Sequence, residues 1–139
     1  MDMESSLRMT ADLENLAEIR HFVQKTATSF DLDPDSIPDV LLAVDEAVTN
    51  VLVHGYPGQA GMIEIELRRR GDSLVVCLRD QAVPFDPTLV PPPDLALPLE
   101  ERPFGGMGIY LIRQLMDEMT YRITRQGGNE LTLVKKGVV

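Results

Sequence analysis

Several things are scarce in this sequence, and each scarcity excludes something. There is one cysteine, so no internal disulfide can form. That residue, Cys77, lies in the apolar run LVVCL, where a buried structural thiol is expected rather than a reactive one. Basic residues are few: 13 lysines and arginines face 22 acids, for a net charge of −9. Nucleic acid and anionic membrane both require a basic surface, so neither is an expected partner. The one basic cluster, Arg68-Arg69-Arg70, precedes Gly71-Asp72 at a predicted hairpin turn and reads as a solvated strand end. No apolar run approaches the length of a membrane span. The first residues, MDMESSLRMT, lack the basic-then-apolar order of a signal peptide, which makes a reducing cytoplasm the expected setting. Low-complexity tracts and internal repeats are absent.

What is present is globular: 139 residues, 44% hydrophobic and 25% charged, enough for one domain over residues 1–139 with a real core. Residues 5 to 9 suit a short strand. Thr10 stands as an N-cap with Asp12 and Glu14 in the first turn, and Leu13, Leu16, Ala17, Arg20, Val23 and Ala27 continue at helical spacing to about Thr28. Ser36 is placed to cap a second helix. Its apolar stripe is Ile37, Val40, Leu41, Val44, Val48, Val51 and Leu52, and Gly55 and Pro57 end it. From Met62 the period changes to two. A hairpin follows, turning at Gly71-Asp72, with its second strand, Leu74 to Leu78, predicted to be buried on both faces. A long proline-rich segment then leads to FGGMG and a third helix, IYLIRQLMDEM. Strands near 119–126 and 129–136, turning at Gly127-Gly128-Asn129, complete the chain. The order β-α-α-β-β-lid-α-β-β predicts an α+β two-layer sandwich, with helices on one face of a mostly antiparallel sheet.

Three constellations can carry chemistry. In DEAVTNVLVHGYPG, Glu46 and Asn50 lie one helical turn apart, roughly 180–220° around the wheel from Ile37. A carboxylate can accept a proton, and an amide oxygen is a hard ligand suited to magnesium. Taken alone, the pair is also the ordinary polar face of an amphipathic helix. Asp80, in RDQAVPFDP, ends a buried strand where its carboxylate can accept a hydrogen bond from an amino group. A turn-initiating aspartate has the same local signature. Gly105, Gly106, Met107 and Gly108 open the third helix, where backbone N–H groups can approach phosphate oxygens or simply form a hinge.

The order of these motifs resembles the Bergerat-type, histidine-kinase-like ATPases, and within them the anti-sigma-factor serine/threonine-protein kinases of bacterial partner-switching systems. The likeness runs nearly end to end, through LENLAEIRHFV, DEAVTNVLVHGYPG, RDQAVPFDP and GGMGIYLIRQLMDEMTYR. The resemblance implies ATP and Mg²⁺ as cofactors. Glu46 would be the general base toward a partner's serine or threonine, and Asn50 the magnesium ligand. Asp80 would read the adenine amino group beside Ala82. Gly105, Gly106, Met107 and Gly108 would serve the phosphates, with a lid over about 88–104. It also implies an anti-sigma-factor antagonist as protein substrate, a sigma factor or similar regulator as the sequestered partner, and a homodimer.

The chain departs from the family pattern at Ala82, where D-x-G-x-P-F usually has glycine. If that position needs positive φ, alanine costs roughly 1 kcal/mol; if the glycine makes room for the base, the methyl narrows the pocket. In the lid, no cationic residue precedes Arg102 to clamp a γ-phosphate. Ala82 motivates the alternative of a non-catalytic binding module of the same fold with weak nucleotide binding. With His21 and His54 alone and no dimerisation helix pair, a histidine kinase fits poorly.

Overall fold

The computed structural model describes residues 3–56, 61–98 and 106–139. The chain forms β1 (Met3–Thr10), α1 (Leu16–Ser29), α2 (Ile37–Asn50), β2 (Met62–Arg70), β3 (Ser73–Asp80), α3 (Gly106–Leu115), β4 (Glu118–Ile123) and β5 (Asn129–Lys135). The five strands make one antiparallel sheet in the order β1-β2-β3-β5-β4, with the helices on one face. This is the α+β sandwich expected from the element order.

The two periodicities meet in the core. Ile63, Ile65 and Leu67 of β2 and Leu74, Val76 and Leu78 of β3 point one way off the sheet and are buried. Val40, Ala43, Val44, Ala47 and Val48 of α2 and Ile19 and Val23 of α1 press onto them. Each of the buried valines, leucines and isoleucines contributes about 1.5–3 kcal/mol, and the two alanines less. On the far side of α2, Arg20 of α1 donates to Asp45 at 2.7 Å and ties the two helices together.

The sheet's other face corrects one expectation and the end of β2 another. β3 is not buried on both sides: Val75 and Arg79 are half-buried, and Cys77 alone is buried there, its Sγ 3.7 Å from Thr132 Oγ1. In place of a helix, this face carries alternating charge. Arg8, Glu64, Arg79, Glu130 and Arg122 stand opposite one another across all five strands. Arg79 donates to Glu130 at 2.7 Å and to Glu64 at 2.8 Å. Burial works against the Arg79 charge, but its hydrogen bonds to Glu130, Glu64 and Glu66 outweigh that and push its pKa well above the ordinary value. The arginine cluster is not a simple solvated strand end either. Arg69 donates to the Phe30 carbonyl at 2.8 Å, closing the end of α1, and Arg68 pairs with Glu66 at 2.7 Å.

Two boundaries and one cap bond differ from the sequence reading. Thr10 still pairs with Met62 in the sheet, so it cannot cap a helix; Asp12 does so instead, accepting from the Glu14 amide at 2.8 Å. Its turn, Leu13–Asn15, is 3₁₀ and runs into α1. Ser36 occupies the N-cap place of α2, but its side chain makes no capping bond. The third helix stops at Leu115, four residues short of the predicted end at Met119. Lys135 Nζ donates to the Leu115 carbonyl at 2.6 Å and the Asp117 amide to Val134 O at 2.8 Å, which turns the chain into β4.

Candidate functional site

α2 does not end where its α-helical bonding ends. Residues Val51–Gly55 continue as a single π turn, closed by the Tyr56 amide donating to Val51 O at 3.2 Å. Such turns are rare and recur at functional sites. Asn50 at the end of α2 and Val51, His54 and Gly55 of the turn line a cleft. The same cleft is lined by Asp80 at the end of β3, Ala82, Val83, Phe85 and Pro87 after it, Ile112 of α3, and Asn129 and Leu131 of β5.

Glu46 stands one turn before Asn50, and both are half-buried rather than on a fully solvated face. The carboxylate of Glu46 lies against the start of α3: a Cβ built on Gly108 would stand 2.8 Å from Glu46 Oε2. A carboxylate at a helix N-terminus is electrostatically favourable. The fold thus brings together Glu46, Asn50, Gly108 and, across the cleft, Asp80. Gly106 is the first residue of α3 and Met107 is half-buried beside it. Gly105 lies outside the described residues, as do residues 99–104 of the expected lid. Its earlier part holds a 3₁₀ turn, Pro87–Leu89, fastened by Asp86 Oδ1 accepting from the Thr88 amide at 2.8 Å and by Arg113 of α3 donating to Thr88 O.

Asp80 is buried, and its hydrogen bonds are one-sided. Oδ1 accepts from the Ala82 amide at 2.9 Å and from Asn129 Nδ2 at 2.8 Å. Among the described residues none falls on Oδ2, and Asp80 lines the cleft. Ala82 does not have the strained backbone that glycine would relieve. Asp31 is the one non-glycine with positive φ among the described residues. The Ala82 methyl points at Gly55, where a second methyl would stand 2.9 Å from it.

Four further residues shape this site and were not singled out from the sequence. Asn129 donates to Asp80 and to the Ala82 and Val83 carbonyls, while its Oδ1 accepts from the Phe85 amide at 3.0 Å and from the Tyr121 hydroxyl. Tyr56 accepts from the Gln81 amide at 2.7 Å and donates to Met62 O at 3.1 Å. Burial raises the Tyr56 pKa, against the hydrogen bond from Gln81, so the phenol keeps the proton it donates. Gly128 lets β5 begin close to β3: a Cβ there would be 2.1 Å from Asp80 O. The only local signal for any of these was the glycine pair before Asn129, which by itself reads as a turn.

The model of the histidine kinase-like ATPase domain matches residues 9–135. The chain belongs to that family. It is 33% identical over 117 residues to the serine-protein kinase RsbW of Bacillus cereus (strain Q1), covering 81% of this chain and 73% of that one. The RsbW of Bacillus thuringiensis subsp. konkukian (strain 97-27) matches to the same extent. The crystal structure of the RsbU and RsbW domains of Rv1364c from Mycobacterium tuberculosis superposes with a TM-score of 0.67 over 96% of this chain. This chain spans 32% of that longer one at 17% identity, so the likeness shows the shared fold. No helix among the described residues is long and apolar enough to cross a membrane.

Proposed function

We propose that this member of the histidine kinase-like ATPase family is an ATP-dependent protein serine/threonine kinase of a bacterial partner-switching system. In this reading it phosphorylates an anti-sigma-factor antagonist and sequesters a sigma factor or similar regulator. The relationship to the RsbW kinases supports a kinase-like role. The observation that carries the finer reading is the approach of Glu46 to Gly108, with Asn50 and Asp80 on the walls of the adjoining cleft.

Asp80 Oδ2 would accept from the amino group of adenine, and the first turn of α3 would present its amides to the phosphates. Glu46 would take the proton from the incoming serine or threonine hydroxyl as its oxygen bonds to the γ-phosphorus. The bond from that phosphorus to the bridging oxygen breaks, and ADP leaves. Among the described residues no group of three acidic, histidine or cysteine side chains could cage a metal. Magnesium is typically held by one or two protein ligands plus phosphate oxygens, and Asn50 would be such a ligand. Bound magnesium would neutralise charge on the transferring phosphoryl group.

The alternative, a non-catalytic module of the same fold, drew on strain or crowding at Ala82. Its ordinary backbone weakens the strain case; its methyl stands against Gly55 and both residues line the cleft, so crowding is what the binding measurement tests. Two measurements decide between them. Mg-ATP at a hundredfold excess over Kd should raise the melting temperature by roughly 10 °C, and Asp80→Ala should remove the rise. Phosphate transfer to an antagonist protein should vanish in Glu46→Ala while the ATP-induced shift persists. Wild type that binds ATP but transfers no phosphate would establish the binding module.

A further inference from the structure

We propose that Asn129 is the positioning residue that sets base specificity, by holding Asp80 so that one carboxylate oxygen alone is offered to the ligand. The inference rests on the reading that Asp80 meets the base of ATP.

Five contacts converge on the Asn129 amide, and all agree on its orientation. Nδ2 faces three acceptors: Asp80 Oδ1 at 2.8 Å and the carbonyls of Ala82 and Val83, each at 3.3 Å. Oδ1 faces two donors, the Phe85 amide at 3.0 Å and the Tyr121 hydroxyl. A flipped amide would set an oxygen against three oxygens and an NH₂ against the Phe85 N–H, so the side chain has one stable pose. Asn129 is itself 8% exposed, and a network satisfied this fully in a buried place is rigid.

That rigidity is transmitted to Asp80. With Oδ1 occupied by Asn129 and by the Ala82 amide, the carboxylate cannot rotate without losing both bonds. Oδ2, unoccupied among the described residues, is therefore the fixed acceptor of a residue that lines the cleft. The same amide holds residues 82, 83 and 85, which form the wall and rim beside it. Its placement is secured from the opposite face of the sheet. Asp80 pairs with Asn129 across β3 and β5, and the next pair along is Arg79 with Glu130, joined at 2.7 Å. A slip of register would break that ion pair and the Asp80–Asn129 bond together.

A fixed acceptor suits a 6-amino purine, which brings a donor. It opposes a 6-oxo purine, whose oxygen would leave the carboxylate unmet. One unmet buried acceptor changes affinity by about tenfold to a hundredfold. If Asn129 acts through Asp80, removing it should weaken the amino purine and spare the oxo purine. A purely structural residue would weaken both alike.

The test is titration calorimetry of the whole chain with Mg-ATP and with Mg-inosine triphosphate, in wild type, Asn129→Leu and Tyr121→Phe. Wild type should favour ATP by roughly tenfold or more. Asn129→Leu should lose about tenfold in ATP affinity and less than about threefold for inosine triphosphate. Tyr121→Phe removes one hydroxyl from a half-buried ring, keeps the fold, and should show the same bias at about threefold. In an Asp80→Ala background, Asn129→Leu should add no further loss. Equal losses for the two nucleotides, or an unchanged ATP preference in both variants, would overturn the role of Asn129 while leaving nucleotide binding intact. A wild type that does not prefer ATP would overturn both this inference and the adenine reading of Asp80.

Discussion

The methyl group of Ala82 occupies the space that a side chain on Gly55 would need: a Cβ on Gly55 would stand 2.9 Å from it. The π turn after α2 and the loop after β3 are therefore fitted to each other with room for one methyl, carried here by the loop. Gly55→Ala should overpack this contact and destabilise the protein by about 1–3 kcal/mol. Ala82→Gly alone should cost about 1 kcal/mol through lost burial and a more flexible unfolded chain. The double variant moves the methyl across the gap, so it should recover at least about 1 kcal/mol relative to the sum of the singles. Urea denaturation of the four proteins gives the coupling energy; strictly additive losses would show that the two positions do not compete.

The contact between Gly108 and Glu46 makes a different prediction, in which stability and activity move apart. A Cβ at Gly108 meets the end of a flexible carboxylate, 2.8 Å away, and that end can shift at little cost. Gly108→Ala also gains up to about 1 kcal/mol in helix propensity inside α3. The variant should melt at or above the wild-type temperature, yet phosphate transfer should fall about 10- to 100-fold because the displaced carboxylate no longer reaches the hydroxyl. Transfer at the wild-type rate would separate Glu46 from the chemistry.

How much of this was legible in the sequence depends on how local the cause is. The stripe of α2 and the period-two run of β2 announce themselves, because each element's own side chains face the core. The segment Met116–Met119 reads as helix, and it is redirected by Lys135 and Val134, about twenty residues away in sequence. The π turn has no local signature; its last residue is shaped by Ala82. Glu46, Asn50 and Asp80 stand out by their order along the chain, and in the structure Asn50 and Asp80 both line one cleft. Asn129 could not be picked out, since its partners lie from eight to forty-nine residues distant and meet it only once β5 has paired with β3. From the sequence alone Ala82 reads as a departure that costs either strain or space; the fold removes the strain, and Gly55 is invisible as its neighbour until the chain folds.

Gly128 is required by backbone approach rather than by backbone conformation. An added Cβ would fall 2.1 Å from the Asp80 carbonyl oxygen, and a main-chain atom in the middle of a sheet cannot step aside as a side chain can. Gly128→Ala should therefore push β5 away from the end of β3 and cost about 1–3 kcal/mol. Asp80 and Asn129 are the last pair of that ladder, so the damage should reach the cleft. The expected result is a lowered melting temperature with a further loss of the ATP-induced shift. Gly127→Ala is the informative control: nothing lies near its Cβ, and its φ of 84° makes any penalty purely conformational. It should cost about 1 kcal/mol and leave the ATP-induced shift unchanged.

Glu130 ties acid stability to the charged face of the sheet. Hydrogen bonds from Arg122, and then from Arg79, hold its carboxyl at about 2, well below its ordinary value of 4.5, against the opposing effect of burial. A folded-state value below the unfolded one stabilises the protein where the carboxyl is ionised in both states. That contribution is complete above about pH 4.5 and is lost as the pH falls toward 2. Glu130→Gln keeps the shape and removes the charge, so it should cost about 1–3 kcal/mol at pH 7, the worth of charge-assisted hydrogen bonds. The remaining acids titrate in both proteins, so the difference between the two stability curves isolates this group. Urea midpoints measured from pH 7 down to pH 2 should differ by a constant amount to about pH 5 and then converge. Curves that stay parallel to the acid limit would mean that Glu130 is not held ionised by its two arginines.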